Sequence, residues 1–168
     1  TESHHALGNL SGSEKWLAAF FQSVSARTAG FNTIDLNQLY PQTLLVLLIL
    51  MIIGASPGST GGGIKTTNIG VLWVAFWQTI KEVRHIELFG RRLHRDDIFK
   101  AMSIFMLGGV FMAIGFFLLL LLKEGSFVSV LFETVSAFGT VGFSLGMTPQ
   151  LSGLGKWLIM VLMFVGRL

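Results

Sequence analysis

Apolar runs of unequal length alternate with polar and glycine-rich stretches along this chain. The longest run covers residues 101–122 and contains no charged side chain. A helix of that length would be about 33 Å long, which is enough to cross a lipid bilayer. Its Phe-rich and Leu-rich end has no polar face, and this disfavours a buried helix in a soluble core. The run therefore predicts a transmembrane helix.

A second apolar run is only about half as long as a membrane crossing. It covers residues 44–53, and apolar character resumes at residues 69–76. The segment between them, residues 54–67, contains five Gly and one Pro, which do not continue a helix at low cost. Irregular backbone at membrane depth survives only inside protein or beside water. The pattern predicts one broken crossing whose central loop lines a cavity or pore.

A third run, residues 154–168, begins another crossing and ends on Gly-Arg-Leu. A helix of about 15 residues would stop in mid-membrane, so we expect a fragment of a longer protein. The connection at residues 78–100 carries six of the 12 Lys and Arg residues, which predicts that it faces the cytoplasm. Acidic residues are interleaved there and disfavour a nucleic-acid surface. Contact with anionic lipid, with a cytoplasmic partner or with solvent alone stays open.

Composition supports a membrane protein and excludes several kinds of site. Hydrophobic residues make up 52% of the 168 residues and charged residues 12%, with a mean hydropathy of +0.68. That charged share is about half the share of a soluble domain, so a cytoplasmic enzyme is disfavoured. The chain has no Cys, which excludes disulfides, a thiolate nucleophile and Cys-ligated metals. The pattern contains no catalytic dyad or triad.

Two segments resemble each other at an offset of 111 residues, which becomes 112 after one inserted residue. Each begins with a short amphipathic stretch, residues 16–26 in one copy and 127–137 in the other. Neither stretch is long enough to span a membrane, and each leads through a Gly-containing loop into a new crossing. This order is typical of a re-entrant segment. The aligned loop positions are Thr28, Ala29, Gly30 and Phe31 in the first copy and Thr140, Val141, Gly142 and Phe143 in the second.

The second loop reads Thr-Val-Gly-Phe, close to the Thr-Val-Gly-Tyr of potassium-channel filters. A dehydrated cation must meet a row of backbone carbonyl oxygens. Successive residues normally alternate their carbonyl direction, and a central Gly permits the dihedral angles that align them. A Thr hydroxyl can add an oxygen at the inner end. Two copies between a half-spanning and a spanning helix favour a filter over two coincidental glycine loops.

With these motifs, essentially the whole chain resembles the Ktr/Trk/HKT superfamily of potassium transporters. That family is built from four tandem repeats of helix, pore helix with filter loop, and helix. The resemblance implies an all-α membrane protein with pseudo-fourfold, potassium-channel-like repeats, about two of which are present. Residues 1–97 would be the third repeat without its outer helix. Residues 98–168 would be the fourth repeat, truncated in its inner helix.

The resemblance also implies a function, namely potassium uptake across the plasma membrane through the eight loop positions given above. Gly at this filter position in every repeat goes with potassium preference in that family, but two filters are missing here. A sodium-selective or potassium–sodium coupled transporter of the same fold is one alternative. A non-conducting membrane scaffold subunit, whose glycine loops serve only helix packing, is another.

The glycine-rich segment resembles the intramembrane gating loop of that family. Arg167 matches the Arg that the family places in its last inner helix near the pore axis, the alternative being an Arg that snorkels to an interface. The positions expected to take part in gating are Gly54, Pro57, Gly58, Ser59, Thr60, Gly61, Gly62, Gly63, Lys65 and Arg167.

By the same resemblance we expect a multi-pass protein of the bacterial cell membrane that is not an enzyme. Its partners would be a second copy of itself, the lipid bilayer and a cytoplasmic nucleotide-binding regulatory ring (KtrA-like), with no nucleic acid. Potassium would be the substrate, and we expect no cofactor. A nucleotide on this chain is disfavoured because Ile64 separates Gly63 from Lys65 and breaks the phosphate-binding pattern.

Two further polar residues lie close to the loops in sequence. Asp35 follows the first loop, where it would either concentrate cations at the outer mouth or be a solvated loop acid. Glu133 occupies the position equivalent to Gln22 in the repeat, and we expect it to brace the filter by hydrogen bonding.

Overall fold

The computed structural model describes residues 2, 7, 8, 11–81, 87, 88, 91, 92, 94–123 and 125–168. Helices form the regular secondary structure of the described part, together with two strands of two residues each, β1 (Glu87–Leu88) and β2 (Arg91–Arg92), which pair antiparallel. The predicted all-α class is therefore confirmed in its main features. The helices are α1 (Gly12–Ser25), α2 (Pro41–Ile52), α3 (Thr66–Ile80), α4 (Arg95–Leu121), α5 (Phe127–Phe138) and α6 (Gly153–Arg167).

Local sequence explains where these helices begin and end. Pro41 occupies the first turn of α2, where its missing N–H and fixed φ are compatible with a helix. The hydroxyls of Ser126 and Ser152 accept hydrogen bonds from backbone N–H groups in the first turns of α5 and α6. α2 ends at Ile52, two residues before the first Gly of the glycine-rich segment, and α3 begins at Thr66. The predicted break in this crossing is thus present as a break between two helices.

The longest predicted crossing is present as α4, but it begins six residues earlier than the apolar run does. Asp96 and Asp97 lie in its first turn, where negative charge stabilises the positive end of the helix dipole. Among the described residues, α4 alone is long and apolar enough to cross a membrane. Only 17% of its most apolar stretch is buried. A core helix of a soluble protein would be mostly buried, so this exposure favours a lipid-facing helix.

Helix α5 is the centre of the packing, in contact with α2, α4 and α6. Eight of its 12 residues are buried, including the polar Glu133, Thr134 and Ser136. Small residues let the neighbouring helices approach closely: a Cβ at Gly115 of α4 would lie 2.6 Å from Leu162 of α6. A half-length helix buried this thoroughly is held in a fixed orientation, which fixes the loop that follows it.

The same order of elements occurs twice in the described part. α1 leads through a loop and a 3₁₀ turn, Leu36–Gln38, into α2; α5 leads through a second loop and turn, Thr148–Gln150, into α6. The two turns are 112 residues apart, as are the starts of α2 and α6. We call the first loop, residues 28–31, loop A, and the second, residues 140–143, loop B. The structure thus extends the sequence repeat past the loops into the helices that follow.

Candidate functional site

Left-handed backbone conformations recur at matching positions in loops A and B. In loop A, Thr28 has a φ of 68° and Gly30 a φ of 74°; in loop B, Thr140 has 52° and Gly142 has 94°. The residue between them in each loop does not have a positive φ. When φ is positive at every second residue, each peptide plane is turned, and carbonyls that would alternate in direction can face one side. Both loops therefore have a backbone suited to a row of carbonyl ligands.

The threonines are the unexpected part of this geometry. A positive φ is rare for a β-branched residue and persists only where the surroundings enforce it. In loop A the carbonyl of Ser25 accepts hydrogen bonds from the N–H groups of Ala29 and Gly30, at 3.1 and 3.2 Å. In loop B the carbonyl of Ser136 accepts from Val141 N–H at 2.9 Å. The last turn of each preceding helix therefore holds its loop in the strained shape.

The C-terminal, negative ends of the α1 and α5 dipoles lie close to loops A and B in the sequence. α1 ends at Ser25, with Ala26 and Arg27 before loop A, and α5 ends at Phe138, with Gly139 before loop B. Neither helix has a basic residue in its last turn. A helix C-terminus carries about half a negative charge on its unpaired carbonyls. A cation held near loops A and B would be stabilised by both helix ends, although the charge of Arg27 opposes this effect at the end of α1.

Loops A and B lie against each other through their glycines. A Cβ on Gly30 would overlap the carbonyl oxygen of Val141 and lie 3.3 Å from the Cα of Gly142. A Cβ on Gly142 would lie at an ordinary 3.6 Å from the Cα of Gly30. Gly30 is therefore required by both space and backbone, whereas Gly142 is required by its backbone conformation.

Buried polar side chains lie behind each loop at equivalent positions. Glu133 on α5 is 4% exposed and accepts a hydrogen bond from Thr148 Oγ1, which also lies 3.0 Å from Ser144 Oγ. Gln22 on α1 is 5% exposed, and its Nε2 donates to Asn32 Oδ1 at 3.4 Å. Each side chain is thus bonded to a residue that follows its own loop in the sequence. That Glu133 braces the filter stays a prediction, which this geometry supports.

Asp35 has a local structural role. Its Oδ1 accepts from the backbone N–H and the side-chain Nδ2 of Asn37, at 3.0 and 3.1 Å. Its Oδ2 accepts from Gln38 Nε2 at 3.3 Å. Because both carboxylate oxygens of Asp35 are bonded in the 3₁₀ turn, its role as a loop acid is favoured over a role in concentrating cations.

The non-helical part of the glycine-rich segment, residues 54–65, closes on itself and docks against loop B. We call it the glycine loop. At its base, Gly54 N–H donates to the carbonyl of Ile64 at 2.9 Å. Gly62 N–H donates to Thr140 Oγ1 at 2.9 Å, and Gly63 N–H donates to the carbonyl of Gly166 on α6 at 2.8 Å. These bonds place the glycine loop between Thr140 of loop B and the C-terminal end of α6.

The predicted gating residues divide into a docked part and an exposed tip. A Cβ on Gly61 would lie 2.7 Å from Thr28 Oγ1, and one on Gly62 would lie 2.5 Å from Thr140 Oγ1. The glycine loop therefore contacts the inner threonines of both loops, and only Gly fits at these positions. The tip, from Pro57 to Thr60, is exposed.

Two cavities meet the glycine loop, and Arg167 lines both of them. The larger, of about 600 Å³, lies between the glycine loop, α4 and α6, and Lys65 also lines it. The smaller, of about 440 Å³, lies beside Thr28 and Thr140, the first residues of loops A and B. The structure thus brings the predicted filter, gating and Arg167 positions together. The smaller cavity is lined by Thr28, Thr60, Gly61, Thr140, Met163, Phe164 and Arg167.

Comparison with known proteins gives matches over nearly the whole chain. Residues 1–168 match the family described as TrkH, cation transport protein. The chain is 43% identical to "Ktr system potassium uptake protein B" of Vibrio alginolyticus, over 98% of this chain and 36% of the relative. It is 39% identical to "Ktr system potassium uptake protein D" of Bacillus subtilis, over 99% of this chain and 37% of the relative. The chain therefore spans just over a third of the length of these relatives.

Two further matches bear on the fold and on the transported ion. "Potassium/sodium uptake protein NtpJ" of Enterococcus hirae is 35% identical over 92% of this chain and 35% of the relative. The crystal structure of the potassium transporter TrkH from Vibrio parahaemolyticus superposes with a TM-score of 0.81, over 96% of this chain and 37% of that chain. At 23% identity this likeness concerns the fold, and it confirms the predicted fold class.

Proposed function

Because the chain belongs to the TrkH family of cation transport proteins, we propose that it is part of a potassium uptake protein of the cell membrane. Loops A and B would supply two of the filter segments, and the glycine loop would be the gate below them. The family membership was expected from the sequence and is confirmed. The names of the relatives describe potassium uptake, which supports the choice of ion.

The observation that carries the proposal is the repeated alternation of φ in two adjoining loops. If the loops served only helix packing, there would be no reason for a strained threonine and a left-handed glycine to recur with the same spacing in both. A carbonyl filter needs backbone carbonyl oxygens turned towards the ion, which this alternation permits. The scaffold alternative leaves this coincidence unexplained.

Conduction follows from the order of the parts. A potassium ion would exchange its water for the carbonyl oxygens of loops A and B, helped by the negative ends of α1 and α5. It would leave past Thr28 and Thr140 into the cavity of about 440 Å³. The docked glycine loop and Arg167 border that cavity, so they would close the exit by occupying space and by adding positive charge.

The surroundings of the whole protein are part of the proposal. The exposed apolar surface of α4 would face the lipid bilayer. The connection at residues 78–100, part of which lies outside the described residues, would face the cytoplasm. There it would be close to a nucleotide-binding ring of the KtrA type, and the complete subunit would pair with a second copy. The names of two relatives assign them to a Ktr system, which supports an assembly of more than one component.

Replacing Gly142 with Ser tests the filter. The side chain has room, but a left-handed φ of 94° costs a non-glycine residue about 1–2 kcal/mol. We expect the potassium-to-sodium permeability ratio of the full-length protein in liposomes to fall about tenfold. Gly153→Ser is the matched control, since Gly153 has open space around it and no positive φ. An unchanged ratio in a folded Gly142→Ser protein would show that the filter assignment is wrong.

A potassium–sodium coupled transporter is the second candidate. It is favoured by one observation, which is that the relative from Enterococcus hirae is named a potassium/sodium uptake protein. Potassium uptake by the full-length protein, measured with and without external sodium, separates the two. Stimulation by sodium supports coupling, and simple competition supports potassium uptake alone.

A further inference from the structure

The glycine loop is hydrogen-bonded to one of the two filter loops and only adjacent to the other. Gly62 N–H donates to Thr140 Oγ1 of loop B at 2.9 Å, and Gly63 N–H donates to Gly166 on α6. Within the part of the chain that the structure describes, no such bond joins the glycine loop to Thr28 of loop A, although Gly61 is in close contact with it. The loop is therefore anchored through the repeat that contains α5 and α6.

The atom that anchors the glycine loop is the same oxygen that loop B offers at its inner end. Thr140 lines the cavity below the filter, where a leaving cation would lose its last filter ligand. A hydroxyl oxygen has two lone pairs, and Gly62 N–H uses one of them. The partial positive charge on that amide hydrogen also opposes a cation at the same oxygen.

We propose that the docked glycine loop and a potassium ion at the inner end of the filter compete for the hydroxyl oxygen of Thr140. The idea rests on the proposed function and adds a regulatory link within the same site. An ion at the inner end would weaken docking, and docking would weaken ion binding by the same factor, because coupling between two sites is reciprocal. Loss of one ordinary hydrogen bond corresponds to about a fivefold change in the docking equilibrium.

In the docked state, Gly62 packs so closely against Thr140 and Gly166 that no side chain fits there. A Cβ on Gly62 would lie 2.5 Å from Oγ1 and 2.7 Å from Cγ2 of Thr140, and 2.9 Å from the carbonyl oxygen of Gly166. Any side chain at residue 62 would push the loop away from both anchors. Gly62→Ala is therefore a second way to undock the loop, and it leaves the Thr140 hydroxyl intact.

Hydrogen–deuterium exchange of the full-length protein measures docking directly, because the docked amides are Gly62 and Gly63. We expect the peptide that contains them to exchange about fivefold faster in KCl than in choline chloride of equal ionic strength. In Thr140→Val, which keeps the β-branched shape but has no acceptor, exchange should be fast in both salts. Thr140→Ser keeps a hydroxyl and should keep the potassium dependence.

Controls separate docking from folding. Peptides from α4 should exchange alike in all variants, which reports an intact fold. If Thr140→Val does not fold, Gly62→Ala takes its place: exchange should be fast and independent of potassium, whereas Gly70→Ala, with open space around it, should behave as the wild type does.

The competition is overturned if the wild-type loop exchanges equally in both salts while the same preparation takes up potassium. It is also overturned if Thr140→Val or Gly62→Ala keeps the wild-type potassium dependence. A wild-type protein that shows potassium-dependent exchange but no uptake would instead contradict the proposed function and leave the competition supported.

Discussion

Deleting residues 58–63 should open the gate of the full-length protein. The deletion removes the exposed tip apart from Pro57, and it removes both docking bonds, from Gly62 to Thr140 and from Gly63 to Gly166. Each bond contributes about 1 kcal/mol, so the closed state loses about 2 kcal/mol, or roughly a 30-fold shift towards open. We expect a higher basal potassium flux that depends less on the cytoplasmic partner.

Arg167 should be coupled to this deletion. It lines both cavities beside the glycine loop and directly follows Gly166, the residue that anchors the loop. Removing its charge and removing the loop act on the same closed state, so the effects of Arg167→Ala and of the deletion on flux should not add. Gly70→Ala on α3, which meets open space and lies outside the glycine loop, is the control and should leave flux unchanged.

The assay is potassium flux into liposomes that contain equal amounts of each full-length variant, with and without the partner. The competing hypothesis is that the glycine loop is a hinge needed only for folding. In that case the deletion lowers flux or expression and never raises it. A folded deletion variant that stays closed and fully dependent on the partner would refute the gate.

Three further predictions concern topology, the support of the filter and helix packing. A cysteine placed at Arg84, which lies outside the described residues, should react with an impermeant thiol reagent only from the cytoplasmic side; labelling from outside would invert the proposed topology. Thr148→Val removes the hydrogen bond to Glu133, and the potassium-to-sodium permeability ratio should fall about fivefold. An unchanged ratio would show that this bond affects only stability. Gly115→Ala should lower the free energy of unfolding by about 1–3 kcal/mol in thermal melts, whereas Gly109→Ala, which meets open space, should not.

Much of the fold could be predicted from the lengths of the apolar runs. A run of half a membrane's length followed by glycines predicted the break between α2 and α3, and α5 was placed to within one residue at its end. The start of α4 could not be found this way, since its first turn is charged. Asp96 and Asp97 look like part of a polar connection, but at a helix N-terminus they favour the helix.

The residues that form the site could be predicted from the sequence, but the contacts between them could not. The repeated Thr-x-Gly spacing identified both loops, but the unusual dihedrals were expected only at the glycines. The positive φ of Thr28 and Thr140 escaped prediction because a β-branched residue disfavours that conformation when considered alone. The bond from Gly62 to Thr140 joins positions 78 residues apart, and no local pattern specifies such a contact.

The glycine loop begins at the point where α2 and α6, which are otherwise equivalent, differ in length. α2 and α6 begin 112 residues apart, and at the same offset Gly54, where the glycine loop begins, corresponds to Gly166. At that point α2 has already ended, whereas α6 continues to Arg167. Because the loop leaves one repeat and binds the other, its position depends on how the two repeats pack. A relative shift of α6 would therefore strain or release the bond from Gly63 to Gly166, and this would give the proposed cytoplasmic partner a mechanical route to the proposed gate.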